Sequence, residues 1–105
     1  MDWAGLERER MARWYRQLHI FLYPLYYIEY GIAQLGALQV WQNSLRSPGD
    51  ALRAYRRALA LGATVPLPEI YRAAGARLVF DREGMAELVA LVEDRVATAE
   101  RELGE

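Results

Sequence analysis

The chain has 105 residues, of which 53% are hydrophobic and 26% charged, and a net charge of −1. These values fit one folded domain, residues 1–105, and exclude a disordered tail as well as a global field that would draw the chain to nucleic acid or an anionic membrane. The absence of cysteine excludes disulfides and thiolate sites and makes the cytoplasm the expected location.

The N-terminal segment predicts one amphipathic helix, because its large apolar residues recur at helical spacing. These residues are Trp3, Leu6, Met11, Trp14, Leu18 and Phe21. Pro24 ends or kinks this helix, since proline removes an amide donor and clashes with the preceding turn.

The residues after Pro24 predict a second, central helix. It can begin at Pro24 itself, and its apolar residues cover more than one face, which is typical of a helix buried nearly all round. Gly31 and Gly36 each cost ~1 kcal/mol relative to alanine in an exposed helix, so we expect them to admit a close neighbour. A membrane span over Leu18–Trp41 is disfavoured, because Glu29 would cost ~3 kcal/mol near its centre.

Capping residues divide the C-terminal half into three further helices. Ser47 and Pro48 predict a helix start, and Gly62 predicts its end. A short helix follows over Glu69–Ala74, and Asp81 can cap a final helix. The apolar stripe of that final helix comprises Met85, Leu88, Val92, Val96 and Ala99. The chain therefore predicts an all-α fold, a bundle of about five helices.

His19 is the single histidine, and four of the seven tyrosines follow it closely. They are Tyr23, Tyr26, Tyr27 and Tyr30, of which Tyr26 and Tyr30 are four apart and share a helix face. A histidine with several phenols can donate hydrogen bonds to a developing oxyanion or hold a peptide carbonyl group. The competing interpretation is a set of core tyrosines whose hydroxyls find internal partners.

The residues of several other chemistries are missing. One histidine without cysteine cannot form a typical zinc site, so no metal ligand is assigned in this chain. No phosphate-binding glycine loop or nucleophile elbow occurs. No basic patch interleaved with aromatic residues supports nucleic-acid binding. Glu29 could act as a general base or, if buried, as the partner of an arginine.

Three motifs follow one another along the chain. They are His19-Ile20-Phe21, then Pro24 to Tyr30 with Ala33, then Gly62-Ala63-Thr64 with Pro66 to Glu69 and Ala74-Gly75. In composition and order they resemble the C-terminal region of oligoendopeptidase F and related zinc oligopeptidases. The resemblance covers most of residues 10–92.

This resemblance implies roles for individual residues. In that family the matching histidine and tyrosines face the zinc-bound substrate, bind the peptide and stabilise the tetrahedral intermediate. His19 and Tyr30 are the implied catalytic residues, and Tyr23, Tyr26 and Tyr27 the implied substrate-binding residues. The H-E-x-x-H helix that holds zinc lies upstream in family members and has no counterpart here. Zinc is therefore implied for a longer parent and not for this chain.

Two functional hypotheses follow. The first is a C-terminal fragment or truncated relative of a zinc oligoendopeptidase that contributes to the hydrolysis of short peptides and is inactive alone. The second is a small non-catalytic helical protein that self-associates through its aromatic helix. In both cases we expect no nucleic-acid or membrane partner. We expect the isolated chain to form a homo-oligomer, because its tyrosine-rich helix and its Trp3–Trp14 stripe would otherwise leave a contiguous apolar surface exposed.

Overall fold

A computed structural model describes residues 3–104 of the chain. The elements are α1 (Glu7–Ala12), a 3-10 helix (Arg13–Arg16), α2 (His19–Leu22), α3 (Ile28–Arg46), α4 (Pro48–Leu61), α5 (Leu67–Ala73) and α6 (Arg82–Leu103). No strand occurs among these residues. The prediction of an all-α fold is confirmed. Within the same range, no helix has both the length and the hydropathy that crossing a bilayer requires.

The chain divides into two units within α3. The first ends at Gly31 and the second begins at Ile32. Each is described by itself below, and the expectation of one domain over residues 1–105 stays a prediction.

In the first unit, the single long helix predicted before Pro24 is wrong. Two short α-helices and the 3-10 helix occupy this segment, and none of them buries a residue. Short helices are marginal in water unless an apolar face packs against a partner. The stripe led by Trp14 and Phe21 remains exposed, so the amphipathic pattern alone does not sustain one continuous helix.

The prediction that the next helix begins at Pro24 is also wrong, since α3 begins at Ile28. Leu25 lies in the left-handed region with φ +67°, which no residue within a right-handed α-helix adopts. The predicted burial of this helix on all sides is likewise wrong. Gly36 is the buried residue of α3.

Gly36 is buried because the ring of Tyr71, at the C-terminal part of α5, lies directly on it. A Cβ atom at position 36 would stand 2.8 Å from the Tyr71 ring. The Tyr71 hydroxyl donates to the Ile32 carbonyl oxygen at 2.9 Å, and burial raises the pKa of this phenol. The expected close neighbour is thus confirmed for Gly36. The same expectation is wrong for Gly31, because no described heavy atom lies within 4 Å of a Cβ atom added there.

Side-chain amides of α3 form hydrogen bonds to the backbone of the segment that follows α5. Gln39 pairs with the backbone of Arg77 in both directions, donating to its carbonyl oxygen at 2.9 Å and accepting from its amide at 2.9 Å. Asn43 donates to the Gly75 carbonyl oxygen at 2.8 Å. These bonds satisfy backbone groups of a segment that has no regular structure of its own.

The helix boundaries of the second unit follow the sequence closely. Ser47 is the N-cap residue of α4, with Pro48 in the first turn, and Gly62 ends the helix with φ +54°. The Ser47 hydroxyl donates to Asp50 at 2.7 Å and does not cap an amide. Asp81 caps α6 as predicted, because its carboxylate accepts from the Gly84 amide at 2.7 Å.

The predicted stripe of α6 is only partly an internal face. Leu88 is buried with Gly84, whereas Met85, Val92 and Val96 are exposed. The buried apolar side chains among residues 3–104 are few and mostly small: Ala51, Ala58, Ala74, Val79 and Leu88.

We expect Gly36→Ala to destabilise the fold, because its methyl group would displace the Tyr71 ring and its hydrogen bond. Overpacking of this kind costs about 1–3 kcal/mol, partly offset by the better helix propensity of alanine. Gly31→Ala on the same helix is the matched control and should raise the free energy of unfolding by up to about 1 kcal/mol. Urea unfolding of both variants tests this, and equal stabilisation by the two alanines would contradict the Tyr71 contact.

We expect Asp81→Asn to remove part of the pH dependence of stability. The Arg77 guanidinium, at 2.8 Å, and the Gly84 amide lower the pKa of Asp81 from 3.8 to about 2. A lowered folded-state pKa stabilises the fold above about pH 4, and this stabilisation is lost as the pH falls from there through about 2. Asparagine keeps the capping oxygen but cannot ionise. The difference in unfolding free energy between wild type and variant should therefore shrink across this window, and a constant difference would contradict the assignment.

Candidate functional site

A tight turn between α2 and α3 brings the histidine and the tyrosines together. Pro24 cannot continue α2, and Tyr23 before it adopts φ −135° and ψ 78°, outside the helical region, as a residue preceding proline tends to. Leu25 then reverses the chain with its left-handed conformation. The start of α3 follows at once, so residues on both sides of the turn face the same space.

His19 lies at the centre of this cluster. Its ring centroid is 5.4 Å from that of Tyr30, 6.1 Å from those of Tyr26 and Tyr27, and 6.3 Å from that of Tyr23. The Tyr30 hydroxyl and His19 Nε2 are 3.2 Å apart and hydrogen-bonded. All five residues named from the sequence are therefore neighbours, and we call them the His19 cluster.

The His19 cluster is open to solvent. The four tyrosines are 42–59% exposed, and the histidine is half-buried among them. Core tyrosines would be covered by apolar neighbours, with the hydroxyl alone reaching a partner. The exposure of whole rings favours a surface that contacts another molecule.

The direction of the hydrogen bond between Tyr30 and His19 depends on the tautomer of His19. With the imidazole proton on Nδ1, Nε2 accepts from the Tyr30 hydroxyl, and with the proton on Nε2, the imidazole donates to the Tyr30 oxygen. In both arrangements one ring orders the other. The cluster can then offer a fixed hydrogen-bond donor, with aromatic faces beside it, to a carbonyl oxygen of a bound molecule.

Among the described residues, the side chains that could ligate zinc do not come together. Across residues 3–104 there is no group of three or more His, Cys, Asp or Glu side chains placed to hold a metal ion. Glu29 is exposed, so the expectation of a buried carboxylate paired with an arginine is wrong. Its role as a general base stays a hypothesis.

A concavity in the second unit was not predicted from the sequence. It is an apolar groove of about 480 Å³ between α3, α4 and α5. Small residues such as Ala37, Ala58 and Ala74 form part of its lining, beside Trp41 and Leu59. The spacing of Ala33, Gly36, Ala37 and Val40 on one side of α3 is the signal that could have indicated it. Apart from Tyr55 and Tyr71, its lining offers no titratable side chain.

Comparison with known proteins leaves the chain without an assigned family. No protein-family model, no curated protein and no solved structure matches it.

We predict that the isolated chain binds no stoichiometric zinc and cleaves no peptide. A tight zinc site needs three or four well-placed ligands, and the His19 cluster offers one imidazole. The measurement is metal analysis of chelator-washed protein after incubation with zinc, beside an assay with a quenched fluorescent peptide. One retained zinc per chain together with turnover would contradict this prediction.

Proposed function

We propose that this chain is the C-terminal portion, or a truncated relative, of a zinc-dependent oligoendopeptidase, and that it supplies the side of the active site that binds a short peptide. The observation that carries the proposal is the convergence of His19 and Tyr30, which are hydrogen-bonded at 3.2 Å. Three further tyrosine rings surround that pair. The order of motifs that resembles oligoendopeptidase F also supports the proposal, and its first two motifs contain these same residues.

Each member of the His19 cluster has a role in this proposal. Tyr30 donates its hydroxyl proton in a hydrogen bond to the carbonyl oxygen of the peptide as negative charge develops there. Because the phenol has a single proton, Nε2 of His19 then donates to the Tyr30 oxygen and holds the hydroxyl in place. The rings of Tyr23, Tyr26 and Tyr27 contact the peptide on either side and fix its position. Such a donor, aligned before the reaction, typically contributes ~3 kcal/mol to transition-state stabilisation.

The remaining machinery belongs to the absent part of the parent. By the resemblance, an upstream H-E-x-x-H helix holds the zinc, which supplies an activated water when bound. Residues 3–104 bring together no group that fits that metal, so the part proposed for this chain is to bind and orient the peptide and to stabilise charge on the carbonyl oxygen. A cytoplasmic location is part of the same proposal.

We expect Tyr30→Phe, made in the longer polypeptide, to lower kcat by about two orders of magnitude. The change removes one donor and one hydrogen bond, which should cost only about 1 kcal/mol of stability. Steady-state kinetics with a short peptide, beside thermal unfolding, measures both effects.

Tyr15→Phe is the matched control for this measurement. The ring centroid of Tyr15 is 4.1 Å from that of Trp14 and 6.3 Å from that of Phe21. The proposed chemistry does not use the Tyr15 hydroxyl. We expect this substitution to leave kcat unchanged. A Tyr30→Phe variant that keeps full turnover but unfolds much more easily would show that the cluster is structural.

The second candidate is a non-catalytic helical protein that self-associates through its aromatic helix. The exposure of apolar residues around the turn favours it, above all Leu25 at 92% and Ile28 at 60%. The reading frame upstream distinguishes the two hypotheses. A frame that continues through H-E-x-x-H supports the peptidase, and a frame without any such helix supports the second candidate.

A further inference from the structure

Helix α6 has two apolar faces, and one of them is without a described neighbour. The inward face carries the buried Gly84 and Leu88, with half-buried residues further along. The other face is 38–78% exposed at its large apolar residues, which are Met85, Val89, Val92, Val96 and Leu103. Ala99 is exposed on the same side. We call these six residues the α6 seam.

The spacing within the α6 seam is that of a heptad repeat. From Met85 to Leu103 the steps are four, three, four, three and four residues. The five steps span 18 residues and average 3.6, the period of an α-helix, and their alternation of four and three residues is that of the a and d positions of a coiled coil. A strict stripe of a and d residues is narrower than the apolar face of a helix that covers a globular core.

We propose that α6 pairs in parallel with α6 of a second copy of this chain. In heptad terms, Val89, Val96 and Leu103 occupy the a positions, and Met85, Val92 and Ala99 the d positions. β-branched residues at a positions, combined with leucine at d positions, favour two-stranded parallel coiled coils. Two of the three a positions carry valine, which fits a pair of helices, while the d positions carry no leucine.

The charges beside the α6 seam favour this orientation. Arg95 is half-buried and donates to the adjacent Asp94; it occupies a g position, and Glu100 occupies the e position five residues later. In a parallel pair, the guanidinium of Arg95 would turn from Asp94 to Glu100 of the second copy. In an antiparallel pair with the same apolar layers, Glu93 would oppose its own counterpart, and so would Arg95. Like charges directly opposite each other are unfavourable.

The same charges disfavour a lipid surface as the occupant. Helices that lie on anionic membranes carry mainly lysine and arginine beside their apolar face. Here Glu93, Glu100 and Glu102 flank the seam, with Arg95 as the flanking cation. A helix of the same sequence supplies both the matching apolar layers and the matching charges.

The interface is small, with six seam residues from each copy. It falls at the low end of specific interfaces, below about 1,200 Å² in total. We therefore expect a dimer that dissociates on dilution. This inference rests on α6 alone and is independent of the proposed peptidase function.

The first experiment compares two glutamate substitutions one residue apart. Val96→Glu places two carboxylates inside the seam, whereas Ala97→Glu adds the same charge at an exposed position outside it. Sedimentation or light scattering across a dilution series should show wild type and Ala97→Glu as dimers of the 12.1 kDa chain at high concentration. Val96→Glu should raise the dissociation constant at least about tenfold. Because Val96 is 51% exposed, circular dichroism should show an unchanged helix content, and Val89→Glu serves as a second seam variant.

The second experiment fixes the orientation. The chain has no cysteine, so Val89→Cys introduces a single thiol at an a position. A parallel pair brings the two thiols together, and mild oxidation should link most of the dimer. An antiparallel pair would instead bring position 89 opposite position 99. A mixture of the Val89→Cys and Ala99→Cys chains would then form the mixed disulfide preferentially.

A charge exchange gives an independent check. Arg95→Glu should weaken the dimer, and adding Glu100→Arg to the same chain should restore it.

A wild-type chain that is monomeric at every concentration overturns the proposal. So does a dimer that Val96→Glu and Val89→Glu leave intact but that Leu22→Glu, beside the His19 cluster, dissociates. Preferential linking of positions 89 and 99 overturns the parallel arrangement.

Discussion

The contact between Tyr71 and Gly36 is the constraint on which the packing of the second unit depends. A ring can lie against the backbone of α3 only where no Cβ atom intervenes, and the Tyr71 hydroxyl then reaches the Ile32 carbonyl oxygen. The amides of Gln39 and Asn43 hold the segment beyond α5 against the same helix. Specific polar contacts to the backbone therefore position α5 on α3, where a larger protein would rely on a broad apolar interface.

The small core has a consequence for the surface. Because the buried side chains are mostly alanines, with Val79 and Leu88 as the larger exceptions, most large apolar residues remain exposed. Exposed apolar patches in soluble proteins commonly mark surfaces that meet a partner. Two such surfaces differ in kind. The His19 cluster is rich in hydroxyl groups, as the proposed binding of a peptide requires, whereas the α6 seam carries only apolar side chains at regular spacing, as the proposed pairing of helices requires.

The geometry of the His19 cluster depends on local strain. A leucine with positive φ is disfavoured by about 1–2 kcal/mol, and Leu25 makes no compensating apolar contact, because its side chain is almost fully exposed. The ring contacts between His19 and the tyrosines on both sides of the turn hold this conformation. Strained residues that persist in this way are often found at functional sites, which agrees with a role for the cluster beyond folding.

The sequence by itself determined the all-α class and the ends of the later helices, because proline, glycine and capping side chains act through their own backbone within a few residues. It also indicated which residues form the His19 cluster, since they lie close together in the chain. Tertiary structure alone decided that the helix before Pro24 breaks, that α3 begins at Ile28, and that Met85, Val92 and Val96 face outward. An apolar pattern indicates which face of a helix is favourable to bury. Only the packing of segments that are distant in the sequence decides whether the chain itself covers that face.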